Sequence, residues 1–389
     1  MLNRRILRAK AMQALFALNQ AKISNYHHAH EYFKEVFAPD LNSMEVQDHA
    51  KLQSQIEESS KLFDNAYLKE KAVLPETENN VRNTVLNALA QYHNQNNKDL
   101  KHFGRQMVEL AEMLAQNYIL LLSFPLEICN YLEERNDNKK VRYTKQNELT
   151  FESKIANNAL VILLQNDQSL SKLRARYSSA WDRDIIKKVW TEFSEKDEAY
   201  ASYLKIEHPS FEEDKSILLH LFKQGIFKNE IAQSYLEEYN ILWEEDKSII
   251  KSLVTRTIKS IEPESTSIQL LDISSNWEED KDFFLTLYEL TVENDKYLQE
   301  LIEQKLKNWD MDRIATTDKI ILHMALCEML YFPSIPTKVT INEYIEICKE
   351  YSTPKSKQFV NGILDKISVE LIANGKIKKS GRGLLDNKS

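Results

Sequence analysis

Glycine and proline are both scarce in this chain of 389 residues, at 6 and 8. Sheets and tight turns need backbone positions that glycine supplies, so their scarcity favours long helices. The six glycines never assemble into a GxGxxG turn or a phosphate-binding loop, and no GxSxG elbow occurs. Three cysteines, Cys129, Cys327 and Cys348, have no paired spacing. They read as small buried hydrophobes in a reduced, cytoplasmic compartment. The longest apolar run, Ile119 to Leu126, is interrupted by Ser123 and Pro125 and is too short to span a bilayer, so no membrane is implied. The Arg-rich start mimics a signal peptide, but Gln13 breaks its apolar run and no clean cleavage site follows.

What is present is 42% hydrophobic and 28% charged residues, enough for a sizeable core under solvated helix faces. Net charge is −8, unevenly spread. Residues 1–22 hold Arg4, Arg5, Arg8, Lys10 and Lys22 with no acid; residues 373–389 hold five basic residues against Asp386. Two basic ends on an acidic body suggest a focused anion site.

Leu7, Ala11, Ala14, Leu15 and Leu18 recur at helical spacing, so residues 4–20 read as an amphipathic helix with Asn3 as its cap. The arginines are expected to lie off this stripe, replaceable with little effect on the fold. Further helices are expected over 22–37, 44–71, 79–96 and 98–134, the last broken near Pro125. The polar segment Arg135 to Thr150 reads as an internal boundary. A motif of an aromatic followed by acids recurs at Trp181, Phe211, Trp243 and Trp277, where the acids would favour a helix start. It reads as similar helix starts more readily than as a true repeat. Thr340 and Glu343 have capping-box spacing. The 3.6-residue period runs straight through Asn361-Gly362, so this pair reads as helical, with Gly362 making room for a neighbouring helix. His27, His28, His30 and Glu31 share a helix but lack a second set of ligands; no metal and no cofactor are expected.

One set of motifs is specific: Arg313-Ile314-Ala315 with Asp318-Lys319, then Pro336-Thr337-Lys338-Val339-Thr340-Ile341-Asn342-Glu343, then Lys357-Gln358-Phe359-Val360-Asn361-Gly362-Ile363-Leu364-Asp365-Lys366. This resembles the C-terminal half of the NusB family. The opening Arg4-Arg5-x-x-Arg8-x-Lys10-Ala11-Met12-Gln13-Ala14-Leu15-Phe16 resembles that family's first helix. The resemblance implies an all-α fold of helical bundles, here with an enlarged helical N-terminal or inserted region. The domains expected are a basic first helix at 1–20 packing on the NusB-like part, an insertion at 21–276, the NusB-like bundle at 277–372 and a basic tail at 373–389.

The resemblance also implies a transcription antitermination factor of ribosomal RNA operons, not an enzyme. It would bind single-stranded boxA-like RNA together with a small-subunit ribosomal protein, NusE, within the RNA polymerase antitermination complex. The RNA-binding residues implied are Arg4, Arg5, Arg8 and Lys10 at one end, and Lys355, Ser356, Lys357 and Phe359 at the other. Two ammonium groups and a hydroxyl opening a helix suit a phosphate, and Phe359 could stack on a base. Asp318 and Lys319 are the expected partner-facing residues. Two departures stand out: Lys355 occupies a position commonly acidic in the family, and Ser352 stands where its loop usually has glycine. The alternative is a helical protein-interaction scaffold that keeps the fold. A methyltransferase reading would need glycine-rich cofactor turns, which are missing.

Overall fold

A computed structural model describes residues 4–40, 42, 46–69, 73–140, 154–177, 181–306 and 314–387, with side chains to 135 in the stretch 73–140 and to 385 in the last. Asn3, Arg313 and most of the Arg135–Thr150 boundary lie outside the described residues. The helices in chain order are α1 (Arg4–Val36), α2 (His49–Asp64), α3 (Asn79–Lys140), α4 (Ala159–Asn166), α5 (Gln168–Tyr177), α6 (Arg183–Lys196), α7 (Glu198–Leu204), α8 (Phe211–Leu221), α9 (Glu230–Tyr239), α10 (Trp243–Lys259), α11 (Trp277–Glu293), α12 (Asp295–Glu303), α13 (Thr316–Tyr331), α14 (Thr337–Tyr351) and α15 (Ser356–Ala373). A wide turn, Phe222–Ile226, extends α8, and a 3₁₀ segment, Gly381–Asn387, follows α15. No strand occurs among the described residues. The fold is all-α, as the scarcity of glycine and proline implies.

Several helices run on where breaks were expected. α1 passes through Ala21, because no glycine or proline interrupts it and its second half has its own core. Ala29 and Phe33 pack there with Phe63, Val81, Val85 and Tyr92. α3 likewise passes through 96–98 and through Pro125. An interior proline costs a helix about 3 kcal/mol. Leu120, Leu121, Leu122, Phe124 and Ile128 around it are all 0% exposed, and each such side chain gains about 1.5–3 kcal/mol on burial. The surroundings outweigh the break. By length and composition α3 could cross a membrane, but 67% of its apolar window is buried inside the protein.

By packing, the chain divides into two units, one of residues 110–277 and one of 4–109 with 278–389. The second unit thus joins 21–109 to the first helix, where the sequence reading drew one inserted stretch from 21 to 276. In the 110–277 unit, the Trp181 indole donates to the Leu120 carbonyl at 2.9 Å. Trp243, fully buried, lies parallel to Phe227 and donates to Gln233. Asp167, buried at the end of α4, accepts from the backbone N–H groups of Leu170 and Ile268, both at 2.9 Å, and from Ser169. The motif aromatics Phe211, Trp243 and Trp277 open α8, α10 and α11 with acids in the first turn, and Trp181 precedes the cap of α6.

In the other unit, Tyr288 of α11 lies 3.3 Å from where a Cβ on Gly104 would stand, and its hydroxyl donates to the Leu100 carbonyl. Two local expectations are corrected. Thr340 and Glu343 form no capping box, because α14 starts three residues earlier and both side chains are held by distant partners described below. α15 does pass through Asn361-Gly362, but nothing lies within 4 Å of a Cβ built on Gly362, so no neighbour requires the glycine.

Gly362→Ala should therefore raise stability by up to about 1 kcal/mol, from better helix propensity with no clash; a lower midpoint in urea would contradict this. Burial pushes the Asp167 carboxyl up, but its hydrogen bonds from Ser169, Leu170 and Ile268 outweigh that and hold it below its usual range. A depressed carboxyl stabilises above its unfolded pKa, about 3.9, and the gain is lost as pH falls through the folded value. Asp167→Asn should be less stable than the parent at neutral pH, and the gap should close in acid below pH ~4. A gap unchanged across that window would show that the charge is not what matters.

Candidate nucleic-acid interface

The first turns of α1 carry the arginines that the sequence singles out. Arg8 is 2% exposed. Its guanidinium grips Glu328 of α13 with two hydrogen bonds, Nε to Oε2 at 2.7 Å and Nη2 to Oε1 at 2.8 Å. Glu328 is 0% exposed and accepts further from the Thr340 hydroxyl at 2.7 Å and from the Tyr344 hydroxyl at 3.4 Å. The Arg8 guanidinium also lies over the rings of Phe283 and Tyr344. Burial alone would lower the Arg8 pKa, but the Glu328 charge and hydrogen bonds raise it, so the cation persists. Burial and the adjacent Glu328 charge push the Tyr344 phenol well up.

Arg5 makes a second fork, to both oxygens of Glu343 on α14 at 2.9 Å each, and its own pKa is raised by that bond. Arg4 pairs with Glu279 at 2.5 Å and covers the Phe283 ring. Lys10 is buried at 3% exposure. The expectation that all three arginines lie off the buried face is corrected for Arg8. Apolar spacing cannot reveal a carboxylate 320 residues away. A signal did exist at the other end: Glu328 sits inside the run Ile320-Ile321-Leu322-His323-Met324-Ala325-Leu326-Cys327 and Met329-Leu330, where an ionised side chain needs a partner.

At the other candidate segment, Lys355 and Lys357 are exposed and Phe359 is half-buried at the opening of α15. Ser356 is buried, its hydroxyl 2.8 Å from the Thr353 hydroxyl, which also accepts from the Ser356 N–H at 3.3 Å. Its hydroxyl is thus engaged locally by Thr353. Glu346 of α14 accepts a 2.5 Å hydrogen bond from Lys349, which lowers its carboxyl below the usual range, and the charges of Arg5 and Lys357 act in the same direction. α14 packs against both α1 and α15: it holds Arg5 through Glu343 and is followed directly by the turn to Lys355 and Lys357. Arg4 and Arg5 are each about one-third exposed at the side chain, at 37% and 36%, leaving edges open to a polyanion.

Asp318, an expected partner contact, is buried and accepts from the Ser352 hydroxyl at 2.5 Å; Lys319 is half-buried. Asp318 thus anchors the loop that carries Lys355. His30 bonds Asp64 and Ser60, while His27 and His28 are exposed; among the described residues no group of three His, Cys, Asp or Glu side chains could hold a metal. The three cysteines are buried, and burial pushes Cys129 and Cys327 up to about 12 and Cys348 to about 11, which leaves them inert thiols.

These features define an all-helical protein whose first helix is locked to α13 by a buried, bidentate ion pair that α14 supports, with basic side chains on the adjoining surface. The NusB family profile matches residues 256–369, and the C-terminal part of this chain belongs to the NusB family. The transcription antitermination protein NusB of Chloroherpeton thalassium is 40% identical over 136 residues, 35% of this chain and 61% of that protein. That of Salinibacter ruber is 43% identical over 105 residues, 27% of this chain and 66% of that protein. The chain thus spans less than two-thirds of the length of these curated relatives. A solved T. maritima NusB is 37% identical, covering 26% of this chain and 70% of that one, with a TM-score of 0.24.

Removing one partner of a buried pair strands the other charge, at a cost of about 3–5 kcal/mol. Arg8→Ala should destabilise by that amount in urea unfolding. The double replacement Arg8→Met with Glu328→Gln should recover most of the loss, since the amide oxygen still accepts from Thr340 and Tyr344. Additive losses in the cycle would mean the pair is not coupled.

Proposed function

We propose that this chain is an RNA-binding transcription antitermination factor of the NusB type, working in the bacterial cytoplasm on ribosomal RNA operons. It binds boxA-like single-stranded RNA together with the ribosomal protein NusE in the RNA polymerase antitermination complex. The observation that carries this reading is that Lys355 and Lys357 are exposed beside the half-buried Phe359 at the opening of α15, while Arg5, about one-third exposed at 36%, is held on the neighbouring α14 through Glu343. Cations close to a partly open aromatic suit a single strand, with phosphates on the lysines and an unstacked base on the ring. The name carried by the relatives, transcription antitermination protein, supports the antitermination part of the same reading.

The contacts support a division of roles. Arg8 binds Glu328, so a phosphate would have to displace a buried carboxylate to reach it. Arg8 therefore holds the helix, while Arg4, Arg5, Lys355 and Lys357 meet RNA and Phe359 stacks. Asp318 acts on the partner side through the loop that it anchors at Ser352, and half-buried Lys319 beside it faces the same partner.

Lys355→Glu should weaken binding to every single-stranded RNA alike and reduce the slope of log K against log salt by about 0.7, the share of one phosphate contact. Phe359→Ala should cost about 1–3 kcal/mol of RNA affinity if the ring stacks. If it is core instead, melting shows a loss of about 3–5 kcal/mol in stability. An unchanged salt slope in Lys355→Glu and Arg5→Gln together would favour the scaffold reading.

A further inference from the structure

The segment after α15 turns back onto the molecule. Its start is fixed by the N–H groups of Lys376 and Ile377, both donating to the Leu371 carbonyl, and Ile377 is buried. It then straps across the end of α13. The Ser380 N–H donates to the Pro333 carbonyl at 3.0 Å, and the Lys379 ammonium to the Phe332 carbonyl at 3.0 Å. Gly381 has φ +54°, a conformation other residues rarely adopt. At Gly383 the approach is closest: a Cβ there would stand 2.1 Å from the Pro333 oxygen. Only glycine fits, and the 3₁₀ segment that follows lies against α14.

The strap is linked to the first helix through Phe332, whose carbonyl accepts from Lys379. The Phe332 ring meets Phe283 edge to face at 5.4 Å, and Phe283 is the ring covered by the Arg4 and Arg8 guanidiniums. Lys378 and Arg382 on the strap are exposed. The strap adjoins the start of α14, Arg5 sits on Glu343 within it, and Lys355 and Lys357 lie just past its end. Fifteen residues of helix span about 22 Å. Basic groups from three distant parts of the sequence thus follow one helix.

We infer that the strap is a third part of the nucleic-acid surface: Lys378 and Arg382 contact phosphates of the same single strand and extend the track beyond Arg4. The inference rests on the RNA-binding reading above. It differs from a loose basic tail in one respect, since the glycine contact at Pro333 fixes where the two charges stand.

The test uses the full chain, a labelled boxA-like single-stranded RNA and a salt series. Lys378→Gln with Arg382→Gln should weaken binding and reduce the slope of log K against log salt by about 1.4, two contacts at about 0.7 each. Gly383→Ala leaves every charge in place but displaces the strap, and it should weaken binding and lower the slope as well. Amide exchange reads the strap without RNA: the Ser380 and Gly383 amides should be protected in the parent and lose protection in Gly383→Ala. Wild-type slope and affinity in both variants, with the parent binding RNA, would overturn the inference alone. A loss confined to the charge variant would overturn the fixed strap. A parent that binds no RNA while its strap amides are protected would overturn the RNA reading itself, and this inference with it.

Discussion

The rest of the unit formed by 4–109 and 278–389 depends on the bond between Arg8 and Glu328. Taking each ion out of water costs several kcal/mol, and mutual attraction repays that only with good geometry and no leftover polar atoms. Here two parallel hydrogen bonds and the Thr340 and Tyr344 hydroxyls satisfy the carboxylate, and the Phe283 and Tyr344 rings flank the guanidinium. The groups that join the cluster come from four elements: α1, α11, α13 and α14. None can shift without stranding a buried charge. This makes the pair a device for register, fixing which turn of α1 meets which turn of α13, more than a source of raw stability.

That device also explains how the fold tolerates so much chain between its two ends. The entropy of closing a loop grows only with the logarithm of its length, about 0.6 kcal/mol per doubling. A self-supporting insertion, with Trp243, Phe124 and Leu120 in its own core, adds little to the cost of bringing Arg8 to Glu328. It also changes what the basic helix can offer. Charges that the sequence shows as one cluster are divided by burial: Arg8 is spent inside, Arg4 and Arg5 are half-committed, and the lysines at α15 stay in water.

Much of the architecture was legible from residue types. Sparse glycine and proline with apolar residues at helical spacing fix an all-α chain, and the motif from Lys357 to Lys366 identifies its last helix. Breaks in helices were less legible. Pro125 is a local signal against a helix, but the burial of Leu120 to Ile128 that overrides it is a tertiary property. Thr340 and Glu343 carried a local cap pattern, yet each was claimed by a partner from another helix. Gly362 misled for the opposite reason, since open space leaves no trace in a sequence. Of the candidate site, Lys355, Lys357 and Phe359 were readable because exposure at a helix opening is a local matter. The fate of Arg8 and Ser356 was not, because it depends on Glu328 and Thr353.

The 320-residue separation of Arg8 and Glu328 has a consequence during synthesis. At about 5–20 residues per second, Glu328 leaves the ribosome roughly 16–64 s after Arg8. The second half of α1 need not wait, because Ala29 and Phe33 find Phe63, Val81 and Val85 within the first hundred residues. The first half must. Leu7 and Ala11, buried in the finished protein on the turns beside Arg8, have no α13 or α14 to pack on throughout that interval. The four positive charges among residues 4–10 then serve a second purpose, keeping an unpartnered apolar stripe hydrated and apart from its neighbours until the last helices arrive to cover it.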